Sequence, residues 1–147
     1  MSPRRSGEAF RRRVYVDSSA YVSMLLDEEG STELRDQTDG SEMLSSVLLI
    51  LETKRTLIRL ARERAITAEH YYVCRDQIAQ NMKLFVLRDL TLDLCDSEVV
   101  PGVATPRSLD LVHLRTAIWF NERQKLDRFL TLDTGQKAAA REFGLPV

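Results

Sequence analysis

The chain alternates short apolar runs with longer stretches in which apolar residues recur at helical spacing. Val14, Tyr15 and Val16 are three β-favouring residues that run straight into Asp17. Behind them Ala20, Val22, Met24, Leu25 and Leu26 predict a helix over about 19–27. Residues 28–31 read as a loop, and Ser31 or Thr32 is expected to cap a short helix ending near Gly40. Residues 43–45 suggest a short strand. The apolar run 47–51 suits a strand or a buried helix; its continuation to Arg64 favours a helix, capped by Ser45 or Ser46. Thr67 caps a further helix to about Lys83, and 84–87 is a strand. Residues 92–100 suggest a short helix, and Pro101-Gly102 and Thr105-Pro106 bracket a loop. Ser108 is expected to cap a helix to about Arg123. Residues 129–132 form a strand ending in Asp133, and a helix over 134–143 stops at Gly144. Residues 145–147 suggest a last edge strand, a place that suits Pro146. Strands alternating with helices predict an α/β domain whose parallel sheet is covered on both faces.

Composition narrows the class. A chain of 147 residues with 44% hydrophobic and 29% charged residues is one ordinary globular domain. No apolar run approaches the ~18 residues of a membrane span, and the N-terminus has no apolar segment of a secretory signal. Cys74 and Cys95 have no metal-ligand spacing, so reduced thiols and a cytoplasmic location are expected. A net charge of −1 carries no nucleic-acid signal, but its distribution is uneven. Residues 1–13 hold Arg4, Arg5, Arg11, Arg12 and Arg13 against Glu8, a balance of +4, which leaves −5 on the remainder. They read as a basic, disordered arm ahead of a domain over 14–147; the sharper alternative is an arm that touches phosphates.

Four carboxylates occupy similar places. Asp17 and Asp133 each follow a strand and precede a helix, where an open α/β sheet delivers charge to its ligand-binding edge. From the local residues alone a helix N-cap is the leading reading for Asp17, and Asp133 repeats the same placement. Asp110 lies in the first turn of a helix, where the dipole favours it by about 0.3–1 kcal/mol. Glu52 follows five apolar residues and needs a partner: Arg55, Arg59 or a metal. Gathered at one sheet edge, such acids would repel one another unless protons or cations offset them. An oxygen-only donor set suits Mg²⁺ or Mn²⁺ over Zn²⁺, and a hard cation held there fits phosphate chemistry.

The segments VYVDSSAYV, LLILETKRTL, RSLDLVHLRTA and FLTLDTGQKAAAREFGLPV, in this order, resemble the PIN-domain family, more narrowly the small VapC-type toxins of prokaryotic toxin–antitoxin pairs. The resemblance runs from Val14 to Val147. It implies a three-layer α/β/α fold with a central parallel sheet and a Mg²⁺- or Mn²⁺-dependent endoribonuclease site. Asp17, Glu52, Asp110 and Asp133 match the four acidic positions as catalytic and metal-binding residues. Ser18 matches the hydroxyl after the first Asp, Thr131 the Thr two before the last, and His113 a frequent His of the third motif. Tyr21 and Arg115 depart from the pattern without removing a ligand. Kinship also implies RNA as substrate, a cognate antitoxin as partner and a homodimer. Ser18 and Thr131 would hold the carboxylates as second-layer hydrogen-bond partners. Arg107 and Arg115 are the candidate phosphate contacts, ahead of Lys54, Arg55 and Lys137, which suit solvated helix faces. A haloacid-dehalogenase-type phosphatase also puts an Asp after its first strand, but its second Asp would fall at Ser19. A PIN-like module that binds RNA or protein without cleaving is the remaining alternative.

Overall fold

The computed structural model describes residues 11–96 and 107–147. In chain order the elements are β1 (Arg13–Val16), α1 (Ser18–Leu25), α2 (Ser31–Thr38), β2 (Glu42–Ser46), α3 (Leu48–Arg62), α4 (Ala68–Asn81), β3 (Phe85–Arg88), α5 (Leu92–Asp96), α6 (Ser108–Arg123), β4 (Arg128–Leu130) and α7 (Thr134–Glu142). The four strands form one sheet in the order β3-β2-β1-β4, and every pairing is parallel.

The strand period of two explains the layers. Val14 and Val16 point to one face, where they pack with Leu49 and Leu57 of α3 and Cys74 and Ile78 of α4. Tyr15 points to the other, among Leu114, Ala117 and Phe120 of α6 and Ala139 and Ala140 of α7. β1 is buried over its whole length, as a central parallel strand must be. The fold is therefore the three-layer α/β/α arrangement that the motifs imply.

Several boundaries differ from expectation for local reasons. β1 starts at Arg13, the last residue of the expected arm. Its guanidinium meets Glu42 at 3.1 Å and the Gln124 carbonyl, and its backbone N–H donates to Asp127 at 2.7 Å. Residues 1–10 of the arm lie outside the described residues, as do 97–100 and the bracketed loop to residue 106. The residue ahead of α2 is Gly30, at φ 83°, rather than Ser31 or Thr32. A left-handed turn there suits glycine, and Ser31 sits inside the helix with its hydroxyl on Asp27 at 3.2 Å. Ser46 does accept from the Leu48 N–H at 3.2 Å, while Ser45 donates to the Val16 carbonyl at 2.7 Å and ties β2 to β1. Ser108 opens α6 without capping it, since the preceding Arg107 makes no side-chain cap. Residues 145–147 are not a strand: the Phe129 N–H donates to the Pro146 carbonyl at 2.6 Å, and proline has no N–H to continue a ladder. No described helix is long and apolar enough to cross a membrane.

Thr67 caps α4 as expected, accepting from the His70 N–H at 3.0 Å. Thr67→Ala is expected to cost about 1 kcal/mol, read as a lower midpoint in urea denaturation followed by circular dichroism. An unchanged midpoint would mean that the cap contributes nothing to this helix.

Candidate active site

Strand order creates the site. From β1 the chain steps to β2 and β3 on one side, whereas β4 lies on the other side of β1. Connections that diverge from adjacent parallel strands open a crevice at the carboxyl ends of those strands, where open α/β sheets bind ligands. Asp17 follows β1 at this point, and its backbone N–H donates to the Leu130 carbonyl of β4 at 3.1 Å. Asp133 lies three residues beyond β4. Asp110 is in the first turn of α6, and Glu52 is in the second turn of α3.

The capping and ligand readings turn out not to compete. Asp17 caps α1, its Oδ1 accepting from the Ala20 N–H at 3.1 Å and from the Ser19 hydroxyl at 2.7 Å. Asp133 caps α7 in the same way, accepting from the Gln136 N–H at 2.9 Å through Oδ1. The hydroxyls of Ser19 and Thr131 are 3.3 Å apart and link the two turns. Ser19 also accepts from the Leu132 N–H at 2.9 Å, and Thr131 from the Asp133 N–H at 3.1 Å. Both loops are thus held rigidly against each other.

Charge at this edge is poorly balanced. Asp17 is only 4% exposed, and burial raises its carboxyl above the ordinary value, against hydrogen bonds from Thr131, Ser19 and the Ala20 N–H. Asp110 is raised by burial first and then by the negative charge of Asp133; Arg107 opposes, and Asp17 adds to the rise. Asp110 therefore feels the charge of both other aspartates. Among the described residues none of the three has a lysine or arginine within ion-pair distance.

Glu52 joins them by a different route. Its helix is amphipathic rather than wholly buried: Leu49, Thr53 and Leu57 face the core, while Leu51 is 65% exposed. The partner of Glu52 is neither Arg55 nor Arg59 but His113, whose Nε2 is 2.7 Å from Oε1. Glu52 and Asp110 line a cleft of about 570 Å³ together with Ser18, Ser19, Arg55, Arg59 and Arg107. Leu48, Leu51 and Leu109 supply apolar wall.

Two expected roles change hands. The hydroxyl on Asp17 is that of Ser19, because Ser18 opens α1 and faces the cleft while the next residue turns back over the carboxylate. The haloacid-dehalogenase reading loses its second acid at the same position. Arg115 is not at the cleft: its guanidinium donates to the carbonyls of Leu94 and Cys95 at the end of α5, where free helical carbonyls attract a cation. Arg55 and Arg59 line the cleft in its place.

Sequence reading also passed over Gly135 and Gln136. A Cβ at position 135 would stand 3.2 Å from Asp133 Oδ1, so a side chain there crowds the carboxylate. Gln136 donates its amide to the Asp110 carbonyl at 2.9 Å and its backbone N–H to Asp133, joining two of the acids. A glycine and then a polar residue two and three places after a capping Asp are the local signals for them.

The donor set fits a hard cation in its chemistry: four carboxylates, with both ring nitrogens of His113 already engaged. As the side chains stand, no three His, Cys, Asp or Glu residues among those described are grouped closely enough to hold an ion. Mutual repulsion and the hold of His113 on Glu52 are physical reasons for that spread.

No family model matches the chain. It is similar to Ribonuclease VapC47 of Mycobacterium tuberculosis (strain CDC 1551 / Oshkosh), with 26% identity over 136 residues that make up 89% of this chain and 92% of that protein. Taken with the all-parallel sheet and the aspartates at its crevice, that similarity supports the resemblance of the chain to the VapC-type proteins of the PIN-domain family.

Proposed function

We propose that the protein is a metal-dependent endoribonuclease, the toxin of a type II toxin–antitoxin pair, acting in the cytoplasm. The observation that carries this reading is the placement of Asp17, Asp110 and Asp133 at one sheet crevice with no ion pair to any of the three among the described residues; burial first, and then the charges of Asp133 and Asp17, raise the Asp110 carboxyl there. Such a charge surplus at a sheet crevice calls for a cation. The relative named a ribonuclease supplies the substrate class.

Asp17, Asp110 and Asp133 would hold Mg²⁺ or Mn²⁺ directly or through water. Glu52 would complete the set or orient the attacking water. When bound, the ion polarises the phosphate and makes water a better nucleophile. The chain's own contribution is positional. Ser19 and Thr131 keep the Asp17 carboxylate from rotating. Arg107, Arg55 and Arg59 line the approach and would take the phosphates of the RNA backbone. A cognate antitoxin and a homodimer belong to the same reading.

A second reading, a PIN-like module that binds RNA or protein without cleaving it, has one observation in its favour. Among the described residues no three ligand-type side chains are grouped closely enough to hold an ion. One experiment separates the two. The purified protein is incubated with a mixture of structured and single-stranded RNAs, with Mn²⁺, with Mg²⁺ and with excess EDTA. Internal cleavage that needs the ion and stops with EDTA is expected. RNA retained intact by the protein under all three conditions would favour the binding module.

A further inference from the structure

We propose that His113, locked in place by Tyr15, is a positioning residue that holds Glu52 in its working orientation through an Nε2–H hydrogen bond. The inference rests on the reading of Glu52 as a site acid and adds to it the device that aims the carboxylate.

The geometry is a chain of three side chains, two of them buried and the third, Glu52, reaching the cleft. Tyr15 is in the central strand, two residues before Asp17, and is 0% exposed; His113 is 1% exposed. The Tyr15 hydroxyl is 2.7 Å from His113 Nδ1, and His113 Nε2 is 2.7 Å from Glu52 Oε1. The tyrosine ring meets the imidazole edge-on at 5.8 Å and is stacked on Phe129 at 5.3 Å. These contacts leave the imidazole little room to turn. They also bridge the layers, since α3 packs on one face of the sheet and α6 on the other.

Counting protons assigns the direction of the bond to Glu52. The fully buried Tyr15 hydroxyl has one proton to give. Ser45 and Thr116 are the other groups at that hydroxyl. Ser45 donates its own proton to the Val16 carbonyl at 2.7 Å and Thr116 donates to the Val112 carbonyl at 2.7 Å, so each has only lone pairs left for Tyr15. Ionised Glu52 accepts only. The proton between His113 and Glu52 therefore sits on Nε2. If the ring is neutral, Nδ1 accepts from Tyr15. If the ring is cationic, Nδ1–H donates to the Tyr15 oxygen, and Tyr15 passes its own proton to Ser45 or Thr116. In both states Nε2–H faces Glu52. One carboxylate oxygen is fixed, and Oε2 has no hydrogen-bond partner among the described residues.

A partly buried pair could also serve stability alone, so the test joins a readout of the bond to one that a structural role would not move. The first is the tautomer, read from long-range ¹⁵N–¹H correlation in metal-free, ¹⁵N-histidine-labelled protein. The chain has only two histidines, and His70→Gln leaves the signal of His113 alone. A proton on Nε2 is expected in the wild type, and a tautomer mixture in Tyr15→Phe. The second readout is Mn²⁺ affinity by titration calorimetry. Loss of such an outer partner typically costs 10–100-fold, so His113→Leu is expected to bind Mn²⁺ about 10–100-fold more weakly. His113→Gln, which keeps an N–H near the place of Nε2, is expected to recover most of the loss. It also stands in if the leucine variant fails to fold. A bare Nε2 in the spectrum overturns the proposal, as does a folded His113→Leu protein that binds Mn²⁺ like the wild type. Asp17→Asn is the control. If that variant binds Mn²⁺ normally, the metal reading has failed, and the tautomer alone decides the His113–Glu52 bond.

Discussion

Asp17→Asn is expected to lower RNA cleavage at least ~100-fold while making the metal-free fold more stable. The loss of activity follows from removing the buried member of the aspartate group, next to Ser19 and Thr131, without disturbing the turn. Asparagine caps helices as well as aspartate does, and its carbonyl can accept from the Ala20 N–H and Ser19 as Oδ1 does now. The gain in stability follows from the sign of the Asp17 shift. Its carboxyl is raised in the folded state, chiefly by burial. Between the unfolded value, about 3.9, and the raised folded value, the native protein binds more protons than the unfolded chain. Stability therefore falls as pH rises through that window, and at neutral pH the native state carries the full cost of a buried charge. The asparagine has no charge to bury, so the variant should be more stable at pH 7 by about 0.5–2 kcal/mol. The difference should shrink as pH falls toward the unfolded value and vanish by roughly pH 3, where the aspartate is protonated in both states. Thermal melts in EDTA across pH, paired with a Mn²⁺ cleavage assay, check both halves. A variant that cleaves normally would remove Asp17 from the site. One that is less stable at pH 7 would mean that its charge is compensated.

Phe129→Ala should produce the largest loss of stability, and the loss should reach the site. Phe129 is 2% exposed, in β4 beside the central strand, with its ring stacked on Tyr15 at an interplanar angle of 6°. Truncating a buried phenylalanine costs about 3–5 kcal/mol, because the removed atoms lose their burial and the cavity closes only in part. Domains of this kind have about 5–15 kcal/mol in total, so the variant should unfold at markedly lower urea. The vacated space lies against the ring that fixes His113, so the folded fraction should also bind Mn²⁺ more weakly. Phe129→Leu keeps most of the volume and should cost less than half as much on both measures. If the alanine variant loses under ~1 kcal/mol, this face of the sheet is not the packed core described above.

Much of the fold was legible because it is local. Val14 to Val16 must be extended and buried, Thr67 must begin a helix, and Gly144, at φ 72°, must end one. Each outcome depends on residues within a turn of the position concerned. The misses were local contests that a single sequence leaves open. Gly30 displaced Ser31 because a left-handed turn was needed, and Ser19 displaced Ser18 because the turn after β1 folds its second hydroxyl back over Asp17.

The sequence by itself determined the kinds of element and put an acid at the start of a helix three times, since both follow from backbone preferences and the needs of free N–H groups. Only the tertiary structure decided which acids are neighbours. Asp17 and Asp133 share an edge because β4 pairs with β1 from the side opposite β2. Glu52 faces His113, not Arg55 or Arg59, because α3 and α6 from opposite layers meet above that edge. Arg115 turned to α5 because free carbonyls were there to receive it. Contacts between residues far apart along the chain are set by strand order and layer packing, and neither leaves a mark in local periodicity.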